Sequence, residues 1–422
     1  MRKLNFDNKH KKGDEYYVCI DNIEELKNGS FEIILDGVEK RKMEFFNKNS
    51  LIETHEEFTP YLFSIIFTKE KILEFLEFSR TAVYKSKWYR LIVTDVKTNL
   101  ETNVYIDNYD DNSSIIERYV SQIKQIHSNS TISNKLNQYF SWKDFKLGSR
   151  EQIINSLSNL SNGRNYFLNV YNVGQGSLCA LTDINNVPIL YYDIGGGFAW
   201  NKFTYTNAQT LKLCFNKTKT IIISHWDNDH LETAKRYLAR NSSAFSGFTW
   251  IAPEQNISPS YFKLAAKLYS TGTLILWPKN LRTYINCWFG KIIKCNGPDK
   301  NSSGLALELD TATGKILNPA DAAYIHIPYT KKTLYKGLVA THHGANFPIN
   351  NTPVPRCEEG QIVYSYGDKN RYNHPKKDAV TAHTTAHWNM RLDTVNGHIS
   401  FGNNSSMPCA SIHCNLDIIQ TF

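Results

Sequence analysis

No stretch of this chain approaches the roughly 20 consecutive apolar residues needed to span a bilayer. The segment Met1 to Lys12 is charged rather than apolar, so no secretory leader is expected either. The eight cysteines are scattered without a Cys-x-x-Cys pair, and Cys409 with Cys414 is too isolated to hold zinc. Reduced thiols in a cytoplasm therefore fit better than a disulfide framework. Internal repeats and low-complexity tracts are also missing. The N-terminal part lacks any charge bias: residues 1–150 carry 23 basic and 23 acidic side chains. The rest of the chain holds 25 basic against 17 acidic, which accounts for the whole net charge of +8. Such an excess fits a polyanionic substrate, and fits plain solubility equally well. What is present is ample core material, 41% hydrophobic in 422 residues, enough for two domains.

Texture divides the chain. Residues 1–160 read as an α+β accessory domain without catalytic side chains in any constellation. Short strand-like runs stand at Tyr16–Ile20, Ser30–Leu35, Trp88–Val96 and Asn103–Asp107. Apolar spacing of i, i+3, i+4 predicts helices over Lys69–Phe78, Ser113–His127 and Arg150–Leu160. From residue 164 to 422, strands alternate with loops and helices, as in layered α/β architecture. Strands are expected at Phe167–Val173, Ser177–Leu181, Val187–Asp193, Ile221–Ile223, Leu305–Leu309, Lys315–Leu317, Gly337–Ala340 and Gln361–Tyr366. A helix is expected to begin at Glu232, just after His230.

The densest chemistry follows the β-branched run Thr220-Ile221-Ile222-Ile223. There, His225, Asp227, Asp229 and His230 crowd into one short loop at a strand end. Clustered carboxylates and imidazoles repel or stay unsatisfied unless a cation sits among them, so this loop predicts a metal site. Two further strand ends supply compatible groups: Asp321 after Ile316-Leu317-Asn318-Pro319-Ala320, and His342-His343-Gly344 after Leu338-Val339-Ala340-Thr341. Each of these alone reads as readily as a cap or turn; together they form an ordered set.

In that set the sequence resembles the metallo-β-lactamase superfamily, and within it the nuclease-like domain of the competence protein ComEC. The resemblance covers roughly residues 164–422. It is carried by Val173-Gly174-Gln175-Gly176, Asp193-Ile194-Gly195, the His225-to-His230 motif, and Asn301-Ser302-Ser303 before a strand. Asp321, His342-His343-Gly344, and Ser365-Tyr366-Gly367 with Asn370, His374 and Pro375 complete it. The resemblance implies an αββα sandwich with the site at one edge and two divalent ions, zinc or manganese. By position, His225 and Asp227 would hold one ion, Asp229 and His230 the other, and Asp321 would bridge them. One imidazole of the His342-His343 pair would complete the second site; spacing leaves open which, and the other would face substrate or a supporting group. Asp193 and the glycines would shape the loop beneath the ions.

Three departures from the pattern stand out. Asp227 replaces the family's usual second histidine, as in the ComEC branch, which makes the site richer in oxygen and tolerant of manganese. No histidine lies between His230 and His326, so the first ion lacks its separate histidine and is expected to bind weakly, filling fully only with substrate. Ser177 stands where that branch commonly has Asp.

The reading that follows is a metal-dependent phosphodiesterase or nuclease in which water activated between two cations attacks phosphorus. Asp229 or Asp321 would orient the water. His374 or His342 would stabilise developing charge or protonate the leaving oxygen. Asn370, with Lys369, Arg371 and Tyr372, would contact nucleic acid, Lys376 and Lys377 adding charge; a plain solvated loop is the alternative there. A soluble nuclease of bacterial defence is one setting. Hydrolysis of a small ester or cyclic nucleotide is a second reading. A partner-binding module with a structural metal, docking partners through residues 1–160, is a third.

Overall fold

In Tyr16–Ile20 and Ile33–Leu35 every second side chain, Tyr16, Val18, Ile33 and Leu35, joins one buried cluster, and the sheet that carries them closes on itself. In the computed structural model, residues 3–5, 13–42, 50–78, 88–106, 115–158, 166–204, 211–281, 283–358 and 360–401 are described. Asp107, residues 113 and 114, the connector 159–163, Cys409 and Cys414 lie outside them.

The chain forms two compact units. The first comprises Met1–Lys146, Leu238–Ser242 and Asn256–Thr271. Its strands Asp14–Glu25, Phe31–Glu39, Tyr61–Phe67, Tyr89–Thr94, Glu101–Ile106 and Ile115–Gln125 pair antiparallel around a closed ring. Lys3–Asn5 is added along Ile115–Gln125. Val18, Ile33, Leu35, Phe63, Ile65, Tyr89, Leu91, Val120 and Ile123 fill the core of this unit. The ring is a barrel, closed where Glu101–Ile106 pairs with Ile115–Gln125. Helices accompany the strands, Lys69–Phe78, Thr131–Tyr139 and Pro259–Thr271 being the longer ones among the described residues.

The expected helix over Ser113–His127 is overturned, since Ile115–Gln125 is a strand. The reason is a register irregularity opposite Ile92 and Val93, whose partners are Gln122 and Val120 with Ser121 skipped. The extra residue turns an interval of two into three, so Val120 and Ile123 both face inward. That spacing imitates a helix.

The second unit comprises Leu147–Tyr237, Ser243–Gln255 and Gly272–Phe422. It is mixed α/β, with two seven-stranded sheets. One runs in the order Thr273–Trp277, Thr249–Pro253, Thr220–Ile222, Pro188–Ile194, Leu178–Asp183, Tyr166–Val170, Ile399–Phe401, and its first four strands are parallel. The other runs Tyr284–Cys287, Gly290–Lys294, Leu305–Thr311, Gly314–Asn318, Gly337–Val339, Gln361–Tyr364, Met390–Asp393, with its last four parallel. Leu168, Leu190, Ile222 and Ile251 of one sheet share a single buried cluster with Ile292, Leu307, Ile316 and Val363 of the other. Two apolar faces therefore bury each other.

The parallel strands matter for function, because loops after their carboxyl ends gather in one place. Arg150–Ser158 belongs to this second unit. The helix after the ligand loop is Asn228–Arg240, starting earlier than expected, so Asp229 and His230 lie in its first turn. The described residues contain no helix long and apolar enough to cross a membrane.

Candidate functional site

Asp193, at the end of Pro188–Ile194, is fully buried and acts as the base plate of the site. Its Oδ1 accepts the Ser224 N–H at 2.7 Å, and its Oδ2 accepts the Ser224 hydroxyl at 2.7 Å. The same Oδ2 lies 2.8 Å from His230 Nδ1. Glycine is required beside it: a Cβ on Gly195 would stand 1.8 Å from the Asp229 carbonyl oxygen. That carbonyl accepts the N–H groups of Ser177 and Gly196, pinning the first turn of the helix to both glycine loops. Ser177, the departure noted above, contributes here through its backbone.

These hydrogen bonds fix which ring nitrogen each imidazole presents. His230 donates from Nδ1 to Asp193. His225 donates from Nδ1 to the Ser224 oxygen at 3.0 Å, whose own proton goes to Asp193. His343 donates from Nδ1 to the Ser365 carbonyl at 2.7 Å. All three therefore turn Nε2 inward, and all three Nε2 atoms are buried without a hydrogen-bond partner.

Asp321 follows the strand Gly314–Asn318 and sits between them. Its Oδ1 lies 3.1 Å from His230 Nε2 and 3.8 Å from His343 Nε2. Its Oδ2 lies 3.7 Å from His225 Nε2 and 3.4 Å from His342 Nε2. Asp229 Oδ2 completes the first side, 3.0 Å from His343 Nε2. Adjacent histidines after a strand were expected to point apart. Instead both reach Asp321, on different oxygens, because His342 and His343 adopt left-handed φ of 48° and 56°. Such conformations cost about 1–3 kcal/mol each. They are held by the Thr341 hydroxyl on the Ala322 carbonyl, the His342 N–H on the Ala320 carbonyl, and the Thr341 N–H on the Tyr324 hydroxyl.

Charge follows from this packing. Burial works against ionising Asp321, yet His342, His230 and His343 outweigh it and hold the carboxyl well below its ordinary range. Asp229 is lowered against burial by His230 and His343. For His230, burial opposes the charged form, and Asp321, Asp193 and Asp229 reverse that and raise it. Burial, then His230, pushes His225 down to about 3. Asp321 and Asp229 thus stay ionised among imidazoles.

Two groups of ligand atoms lie within 4.8 Å of one another: His225, His230 and Asp321; and Asp229, His230 and His343. Buried nitrogens stripped of hydrogen bonds beside ionised carboxylates fit a divalent cation, and the mixed N/O donors suit zinc or manganese. Asp227 stands outside both groups, its Oδ2 4.0 Å from His225 Nε2. That oxygen also lies 3.5 Å from the Lys300 ammonium, a partner that sequence reasoning missed although Lys300 directly precedes the quoted Asn301-Ser302-Ser303.

The loop after Gln361–Tyr364 carries the remaining expected residues. His374 is 5% exposed, its ring 5.8 Å from that of His342 and 6.5 Å from that of His343. Gln175 donates to its Nδ1 at 3.3 Å, so the proton sits on Nε2, which is buried without a partner. Burial, with His342 and His343, keeps this ring neutral. Asn370 requires a correction. Its amide donates to the Gly367 and His374 carbonyls, and its oxygen accepts the N–H groups of Tyr372 and His374. Every polar capacity is spent on its own loop, so Asn370 builds the loop rather than contacting substrate. Tyr372 and Arg371 are half-buried, Tyr372 with its ring 5.7 Å from His374, and Lys369 is exposed.

No family model matches the chain, and no curated protein matches it. Among solved structures, the metallo-beta-lactamase fold protein YhfI from Bacillus subtilis is similar over 56% of this chain and 100% of that one, at 13% identity and a TM-score of 0.35. Likeness of that strength does not establish a family.

Proposed function

We propose that the second unit is a metallo-β-lactamase-like αββα hydrolase domain, similar to the nuclease-like domain of ComEC, and that it cleaves phosphodiesters. The observation supporting this most is the division of Asp321, one oxygen facing His230 and His343 and the other facing His225 and His342. A carboxylate presenting one oxygen to each of two nitrogen pairs would serve as a ligand for two divalent ions, zinc or manganese. Asp229, His230 and His343 would hold one ion; His225, Asp227 and His342 the other. When bound, such a pair lowers the pKa of water and neutralises charge on both oxygens of an in-line displacement.

The chain's own groups do the rest. Asp229 and Asp321 accept hydrogen bonds from the attacking water and orient it. His374 offers an Nε2 proton with no protein acceptor, suited to a phosphoryl or leaving oxygen. Lys369, Arg371, Lys376 and Lys377 supply positive charge on the same loop, with Tyr372 as a stacking surface. A partner-binding module with a structural metal is disfavoured by the donor set, which exceeds the four ligands a closed structural site needs.

The test is hydrolysis of bis-p-nitrophenyl phosphate, single- and double-stranded DNA, and RNA by metal-reconstituted protein. Turnover of a nucleic acid that falls steeply with salt is expected. Turnover confined to small esters, insensitive to salt, would favour the small-substrate alternative.

A further inference from the structure

Lys300 and the ion position beside His225 make claims on the same atom. Asp227 Oδ1 accepts the Asn228 N–H at 2.8 Å. Oδ2 is the oxygen 4.0 Å from His225 Nε2, and it is also the oxygen 3.5 Å from Lys300 Nζ. The lysine is held in place from behind: the Gln255 amide donates to the Lys300 carbonyl at 2.6 Å and to the Ser303 hydroxyl at 2.8 Å. The Ser302 N–H bonds Asp299 at 2.7 Å, closing the same short turn. Both side chains, Lys300 and Asp227, are 11% exposed, so water screens their attraction little. On the other side of Asp321, Asp229 Oδ2 meets an imidazole nitrogen instead.

We propose that Lys300 gates the ion position formed by His225, Asp227 and His342. Its ammonium occupies the Asp227 carboxylate and must yield it before a divalent cation is held there, while the position of Asp229, His230 and His343 loads independently. A phosphate-bearing ligand supplies the alternative counter-charge that draws the ammonium off Asp227. Lys300 is thus a positioning residue that couples loading of one ion to arrival of an anionic substrate. The proposal rests on the metal-dependent reading above.

The experiment is equilibrium dialysis of the full chain against Mn2+, with bound metal counted by elemental analysis and by the manganese paramagnetic resonance signal, with and without inorganic phosphate. The wild type is expected to bind one ion tightly and a second at least about tenfold more weakly, a gap that phosphate narrows. Lys300→Met should tighten the second ion by about tenfold or more, leave the first unchanged, and abolish the phosphate effect. Lys300→Arg should restore the weak second ion, and Lys300→Gln serves in place of Met should that variant fail to fold. A second ion unchanged or weakened in both neutral variants would overturn the gate, the latter showing that Lys300 steadies Asp227 as a ligand. Wild-type protein that binds no manganese or zinc at all would instead remove the metal-dependent reading itself.

Discussion

The two units treat buried carboxylates in opposite ways. In the barrel unit, Asp36 is fully buried, and its Oδ2 accepts the hydroxyls of Ser258 and Ser260 and the Ser260 N–H. Burial, with Asp21 nearby, pushes its carboxyl up to about 7, so neutral hydroxyls and a proton suffice. In the second unit, Asp321 is 5% exposed and its carboxyl lies well below the ordinary range, held there by imidazoles. Burial pushes the first carboxyl toward its neutral form; the second keeps its charge and is surrounded by imidazole nitrogens. Structural burial of an acid favours the first solution, and chemistry with cations favours the second.

That contrast breaks most visibly at Asp321. Asp321→Asn, which keeps the shape and removes the charge, should cost roughly a thousandfold in hydrolysis, about 4 kcal/mol, while the melting temperature holds or rises. Kinetics and a thermal scan on the same sample check this, and a retained rate would make Asp321 merely structural. Next in size is Asp193→Asn. It loosens the imidazole of His230 without touching an ion, and should weaken metal affinity about 10- to 100-fold, read by calorimetric titration. Asn370→Ala should lower stability by about 1–3 kcal/mol through the unpaired loop carbonyls and N–H groups. Measured by denaturant unfolding, that loss separates a loop-builder from a substrate contact, which would raise KM alone.

The smallest effect belongs to the barrel unit. Asp36 has a folded-state pKa raised from 3.8 to about 7. The folded form therefore holds a proton that the unfolded form has lost across that window. Its contribution to stability is full below about pH 4 and declines as pH rises to about 7. Asp36→Asn should flatten that decline in a melting-temperature profile; an unaltered slope would show that Asp36 is ionised when buried, like Asp321.

Much of the site was legible because its residues follow strand ends in runs that sequence alone displays. His225 to His230, Asp321 and His342-His343 all come after short apolar stretches, and the structure draws them together. The face each side chain presents was not legible. The left-handed turn at His342 and His343 sends neighbouring imidazoles to opposite oxygens of Asp321, which no spacing argument reveals. Asn370 looked like a substrate group because its loop is polar, yet its four hydrogen bonds run to backbone atoms. The barrel was obscured by one skipped residue, Ser121, whose register shift gave a strand the apolar spacing of a helix. The strands Thr249–Pro253, Thr273–Trp277, Tyr284–Cys287 and Gly290–Lys294 passed unnoticed, since they carry none of the polar groups that mark the others.

The most direct test of the central claim is anomalous diffraction at the manganese edge from crystals of the full chain soaked in Mn2+. A peak bounded by Asp229 Oδ2, His230 Nε2, His343 Nε2 and Asp321 Oδ1 is expected, with a weaker one beside Asp321 Oδ2. Density that leaves Asp321 without any anomalous neighbour, or coordinates that separate it from His225 and His230, would contradict it.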